Sequence, residues 1–170
     1  MLPVHVTVAA VIEGRGENQG KYLMVEEHAS NGEIVFNQPA GHLEENESIK
    51  DAIIREVAEE TGLDFKPTAL VGTYLLNPAA NNHYYLRFCF TGYISGDKKP
   101  EPQDADIIAA HWMSKEQILD ILPQHRSGLI VDCLKDYLLG KRTPLESLAF
   151  SNNEELLQST GISFLNNYQL

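Results

Sequence analysis

The sequence predicts an α/β fold in which helices cover a mixed β-sheet, and three observations predict it. Strand-length runs of β-branched and aromatic residues recur along the chain, single helical stretches interrupt them, and polar or Gly-containing turns separate the two kinds. At 170 residues, with 43% hydrophobic and 22% charged, the chain is long enough to bury a core without disulfides or a structural metal.

Taken in order, Val4 to Ile12 is β-branched and partly alternating, which makes it a strand. Gly14 to Gly20 is a polar turn, and Tyr22 to Val25 is read as the hairpin partner of the first strand. Ile34 to Phe36 is a short strand entering the loop Asn37-Gln38-Pro39-Ala40-Gly41. Ser48 to Thr61 reads as a helix: Ser48 caps it, Asp51 completes a capping-box-like pair, and Gly62 sits where a helix ends. Leu70 to Leu76 and His83 to Ile94 are the next strands, the latter alternating Tyr85, Arg87, Cys89 and Thr91 against Leu86, Phe88 and Phe90. Ile107 to Met113 is a further strand, Ser114 caps a helix over Lys115 to Leu122, and Leu129 to Leu139 is helical up to Gly140. The pattern weakens from Pro144, so the expected division is a domain over residues 1–146 and a C-terminal extension over 147–170.

Composition excludes several functions. A net charge of -11 argues against a basic nucleic-acid-binding surface, and for a polyphosphate substrate it calls for a bridging divalent cation. The two cysteines, Cys89 and Cys133, are far apart in apolar runs and are expected as reduced core residues. No signal-peptide pattern and no membrane-length apolar run occurs, so a cytoplasmic enzyme, monomeric or a small homo-oligomer, is expected.

The Ser48–Thr61 helix carries the chemistry. At about 100° per residue, Ile49, Ala52 and Ile53 share one stripe, and continuing that stripe leads to Glu56, Glu59 and Glu60. Carboxylates three and four apart repel by roughly 0.2–0.5 kcal/mol per exposed pair, so a solvated acidic face does not account for their sharing the apolar side. A hard cation such as Mg²⁺, which takes carboxylate and phosphate oxygens, does. Arg55, one turn before Glu59, orients the cluster and offsets part of its charge.

The flanking spacing sharpens this reading. Gly41 stands six residues before Glu47, Glu47 eight before Arg55, and Arg55-Glu56-Val57-Ala58-Glu59-Glu60-Thr61-Gly62-Leu63 follows without a gap. At average residue frequencies of about 7%, seven fixed residues coincide on the order of 10⁻⁸ per register. The segment resembles the Nudix box, G-x₅-E-x₇-R-E-U-x-E-E-x-G-U with U aliphatic, at every specified position. That resemblance implies a Nudix fold, an α/β/α sandwich around a mixed β-sheet, and hydrolysis of a phosphoanhydride with Mg²⁺, or Mn²⁺, as cofactor. It also implies that Glu56, Glu59 and Glu60 hold the metal with the Gly41 carbonyl. Glu59 is the chosen general base, and Glu47 and Arg55 brace loop and helix.

Outside the box, Phe36-Asn37-Gln38-Pro39-Ala40-Gly41-His42-Leu43-Glu44, Leu86-Arg87-Phe88, Asp104-Ala105-Asp106-Ile107 and Arg126-Ser127 resemble a Nudix subfamily of phosphatases. This implies release of orthophosphate from nucleoside tri- and diphosphates and from thiamine-precursor diphosphates such as hydroxymethylpyrimidine diphosphate. The alternatives are a pyrophosphohydrolase acting on modified nucleotides, ADP-ribose or dinucleoside polyphosphates, and a Nudix-like regulatory ligand-binding domain. Five substrate contacts are proposed, each beside a structural reading. Arg87 either reaches a phosphate or partners a box glutamate, and Arg126 either clamps the terminal phosphate or is an ordinary exposed arginine. Phe36, like Tyr85, either stacks on a ring or belongs to the core. His42 walls the pocket rather than binding Mg²⁺, and Asp106, with Asp104, is either a further acidic ligand or part of a turn.

Overall fold

The computed structural model describes residues 3–77 and 83–150; most of the expected C-terminal extension, residues 151–170, lies outside them. The elements are β1 Val4–Ile12, β2 Lys21–His28, β3 Ile34–Asn37, β4 Ala40–His42, α1 Ile49–Thr61, β5 Asp64–Leu76, β6 Tyr84–Ser95, β7 Ile107–Ser114, α2 Lys115–Asp120 and α3 Leu129–Leu138.

The strands form two sheets, ordered β4-β1-β6-β5 and β3-β2-β7. The first is mixed: β1 runs parallel to β6, in register from Val4 with Tyr84 to Ile12 with Gly92, and antiparallel to β4. Helices pack on both sides. Val8, Ala10, Ile12, Phe90 and Leu23 are buried against Ala52, Ile53 and Val57 of α1. On the opposite face Val11, Cys89, Tyr22 and Met24 meet Ile118 of α2 and Ile130, Cys133 and Leu134 of α3. Both sheets feed both cores, so the fold is the expected helix–sheet–helix sandwich, with its middle layer split in hydrogen bonding. Cys89 and Cys133 are free buried thiols. Among the described residues no helix is long and apolar enough to cross a membrane.

One expectation is corrected. The Tyr22 segment is not the hairpin partner of β1. The turn closes locally, with the Gly14 N–H donating to the Lys21 carbonyl at 2.8 Å and a bridge between Glu13 and Tyr22, and then the strands part. A strand has two edges, and those of β1 are taken by β4 and β6, while those of β2 are taken by β3 and β7.

Helix α1 begins and ends as its sequence requires. The Ser48 hydroxyl accepts from the Asp51 N–H at 3.1 Å and donates to the Asp51 carboxylate at 2.6 Å, so the pair closes side chain to side chain. Gly62 ends the helix at φ 69°, its N–H donating to Ala58. A Cβ there would also run into the carbonyl oxygen of Glu101. Gly62→Ala is therefore expected to destabilise the protein by about 2 kcal/mol or more, combining left-handed strain with that clash. Urea denaturation checks this, and a loss of a few tenths would contradict the geometry.

Candidate active site

Along α1, Ala52, Ile53 and Val57 are fully buried and Glu60 is 5% exposed. The Glu56 side chain is 12% exposed and that of Glu59 49%. The three glutamates therefore do not continue the apolar stripe equally. Glu60, seven residues after Ile53, returns to within about 20° of it, whereas Glu59 lies about 120° away. The carboxylates form a ramp from the core to the solvent.

Arg55 binds this ramp to the preceding loop. Its Nε and Nη2 donate to the two oxygens of Glu47 at 3.0 and 2.7 Å, and Nη1 donates to Glu56 at 2.7 Å and to Glu59 at 3.0 Å. Nη2 also donates to the His42 carbonyl at 3.0 Å. The forked bond from Arg55 holds the Glu47 carboxyl below its ordinary range, and the same carboxylate, with Glu56 and Glu59, drives the Arg55 pKa far upward.

Glu60 accepts the Ala40 N–H at 2.8 Å. Its pKa is nevertheless pushed up to about 9, first by burial and then by the charges of Glu56, Glu27 and Asp104. Burial raises Glu56 and Glu27 as well. Strand β4, expected as loop, pairs Thr7 with His42 and Ala9 with Ala40, and so fixes Gly41 against the helix. A Cβ on Gly41 would overlap the Glu56 carboxylate, so only glycine lets the backbone approach this closely. Among the described residues, no three His, Cys, Asp or Glu side chains already converge to enclose a cation. Two of the box carboxylates are instead turned to Arg55 and the third to Ala40.

These groups open on one cavity of about 760 Å³. Glu27, Glu56, Glu59, Glu60, Asp104 and Asp106 make it acidic, while Arg55, Arg87 and Arg126 line it as well. Arg87 is 8% exposed, and its Nε and Nη1 are buried without a hydrogen-bond partner. Among the described residues no carboxylate lies within ion-pair distance of it, so the box glutamates do not partner it. Arg126 is half exposed, 3.4 Å from Glu27. Asp106 donates its N–H to Asp104, and that loop is tied to the end of α1 by the Gln103 and Asp104 N–H groups on the Glu59 carbonyl. His42 is a cavity wall whose pKa is held low by burial and by His5 and Arg126.

Phe36 stands apart from the other candidates. It lines a separate depression with Glu26, Ile34 and Gln124, its ring 6.2 Å from His111, while its neighbour Asn37 faces the cavity. Successive residues of a strand face opposite ways, so both cannot. Sequence reasoning missed Glu27, Thr7 and Asn37 as lining groups. Strand β2 is buried on both faces from Tyr22 to Val25, so no alternation marked Glu27 as inward-facing.

The NUDIX domain family model matches residues 1–132. The chain belongs to the Nudix hydrolase family. It is 37% identical over 152 residues to Phosphatase NudJ of Escherichia coli (strain K12), a match covering 89% of this chain and 95% of that protein. A solved NUDIX hydrolase from Nitrosomonas europaea superposes with a TM-score of 0.81 at 44% identity, covering 89% of this chain and 99% of that one. The NUDIX domain of Shewanella oneidensis NrtR complexed with ADP ribose shares the fold, with a TM-score of 0.66 at 19% identity, over 80% of this chain and 87% of that one. The chain is accordingly a hydrolase, of a family that generally uses divalent metal ions.

Proposed function

We propose that this Nudix hydrolase is a Mg²⁺-dependent phosphatase that also accepts Mn²⁺. It releases orthophosphate from nucleoside tri- and diphosphates and from thiamine-precursor diphosphates. One observation carries the reading: a single cavity sets a ramp of carboxylates on one side and, on the other, a buried arginine whose Nε and Nη1 have no hydrogen-bond partner. A cation suits the first and a phosphate the second, and a substrate diphosphate joins them. Similarity to Phosphatase NudJ supports the choice of terminal over internal cleavage.

The donor set is all oxygen, which suits a hard cation. Glu56 and Glu60 would hold it with the Gly41 carbonyl, since glycine alone admits the loop to Glu56. When bound, the cation neutralises the phosphate oxygens and lowers the pKa of water. Arg87 orients a phosphoryl group by a charge-assisted bond, and Arg126 serves the outer phosphate once it exchanges Glu27 for it. Glu59, the most solvent-accessible of the three carboxylates and held only by Arg55, accepts the proton of the attacking water as the anhydride P–O bond breaks. We take residues 1–146 as the domain that does this and 147–170 as an extension.

A substrate panel with Mg²⁺ and with Mn²⁺, scoring orthophosphate and pyrophosphate separately, tests the proposal. Orthophosphate plus a diphosphate is expected from each nucleoside triphosphate. Pyrophosphate plus a monophosphate would make the chain a pyrophosphohydrolase instead, and no turnover with either cation would favour a ligand-binding domain.

A further inference from the structure

Strand β2 carries a carboxylate where its pattern calls for an apolar side chain. Leu23 and Val25 are fully buried, and Glu27 is the next residue on that same row. Directly paired side chains share a face, and Glu27 pairs with Val35 on β3 and with Ile107 on β7. The pairing slips at this point: Glu26 meets Ala109 and Glu27 meets Ile107, which leaves Ile108 with no residue opposite it on β2. Such a bulge re-aims the side chains beside it. Glu27 and Ile107 both line the cavity, and the Glu27 side chain is only 13% exposed.

Two guanidinium groups act on this carboxylate, Arg126 at contact and Arg87 at longer range, and the Asn37 amide faces it as well. Glu60 repels it. The contact with Arg126 is loose. Glu27 Oε1 lies 3.4 Å from Arg126 Nη1 and, although buried, has no hydrogen-bond partner among the described residues. A bracing ion pair of the same cavity looks different: Arg55 grips both oxygens of Glu47, at 2.7 and 3.0 Å. A buried oxygen left without a donor is destabilising, so stability does not account for Glu27. Arg126 is half exposed and can leave it without unpacking the core. An anion set between two arginines, one of them loosely held, occupies them as a phosphate oxygen would.

We propose that Glu27 is a built-in stand-in for the outer phosphate. It holds Arg126, yields it to the incoming substrate and reclaims it as orthophosphate leaves, so that the product is expelled rather than retained. Glu27 is thus a positioning residue, acting on phosphate through Arg126. This deepens the proposed phosphatase reading and rests on it in placing the outer phosphate at Arg126. A held arginine lowers the apparent affinity for phosphate in proportion to the fraction of molecules in which it is free. With Arg126 free in about one molecule in ten, that reduction is about tenfold.

Calorimetric titration of the full chain with inorganic phosphate in Mg²⁺ tests this without turnover. Glu27→Gln is expected to bind phosphate about tenfold more tightly than wild type. Removing any negative charge from the cavity would help an anion, so the deciding comparison is a double-mutant cycle with Arg126. In an Arg126→Ala background, Glu27→Gln is expected to gain less than about twofold. Glu27→Asp keeps the charge on a shorter arm and is expected to follow Glu27→Gln rather than wild type. Thermal midpoints check that each variant folds. In turnover, orthophosphate should inhibit Glu27→Gln about tenfold more strongly than wild type. Equal gains with and without Arg126, a Glu27→Asp protein that binds phosphate as wild type does, or weaker binding in Glu27→Gln would each overturn the proposal. Pyrophosphate release in the product assay would overturn only the phosphatase reading, since the cycle reads anion binding at Arg126 whichever bond is cut.

Discussion

Glu60→Gln is expected to make the cation-free protein more stable by about 2–3 kcal/mol at pH 7, while lowering turnover at saturating Mg²⁺ by at least about a hundredfold. Burial and neighbouring charge raise the Glu60 pKa from 4.5 to about 9, so the folded state keeps a proton that the unfolded chain gives up. Between those values the folded state binds more protons, and its stability falls as pH rises. At about 1.4 kcal/mol per pH unit, this reaches about 3 kcal/mol at pH 7. Glutamine keeps the shape, can still accept the Ala40 N–H and never ionises. The variant should match wild type near pH 4.5 and gain steadily towards pH 9. Thermal melts without divalent cation read the difference, as about 5–10 °C at pH 7. A gap that does not widen with pH would contradict the placement of Glu60. Wild-type turnover in the variant would remove Glu60 from the metal set.

Arg55→Ala is expected to cost about 3 kcal/mol, the scale of removing one partner from a largely buried ionic network. The guanidinium is the shared counter-ion of Glu47, Glu56 and Glu59, and it holds the His42 carbonyl, so its loss leaves three carboxylates facing one another. The variant should recover more stability from millimolar Mg²⁺ than wild type does, because the added cation replaces the missing charge. Thermal midpoints with and without Mg²⁺ provide the measurement. A loss below about 1 kcal/mol, or an equal Mg²⁺ shift in both proteins, would contradict this account.

The chemistry of α1 was legible because local rules govern it: a Ser48 cap, a Gly62 stop and a 3.6-residue period. The fold was legible in part. The first half of β5 passed unnoticed because Pro67 and two bulges break its pattern, which an edge strand tolerates. β4 is only Ala40-Gly41-His42, too short to show alternation. α2 ends at Asp120 rather than Leu122, since Pro123 has no N–H to donate to the Leu119 carbonyl and a 3-10 turn over Leu122–Gln124 takes over. Of the site, the box residues were visible, but the cavity's other walls come from strands whose partners lie up to 80 residues away. Long-range register decides which side chains share a wall, and no local pattern encodes it. For this reason Phe36 was placed with the site and Glu27 was not.

The parallel register of β1 and β6 has an evolutionary consequence. The box carboxylates sit on α1, whereas Thr7, Arg87, Tyr85 and Leu76 of the facing wall come from β1, β6 and β5. Substitutions at Tyr85 or Leu76 can reshape that wall without touching the helix. A duplicated gene could therefore acquire a new diet one strand position at a time while its reaction stayed intact.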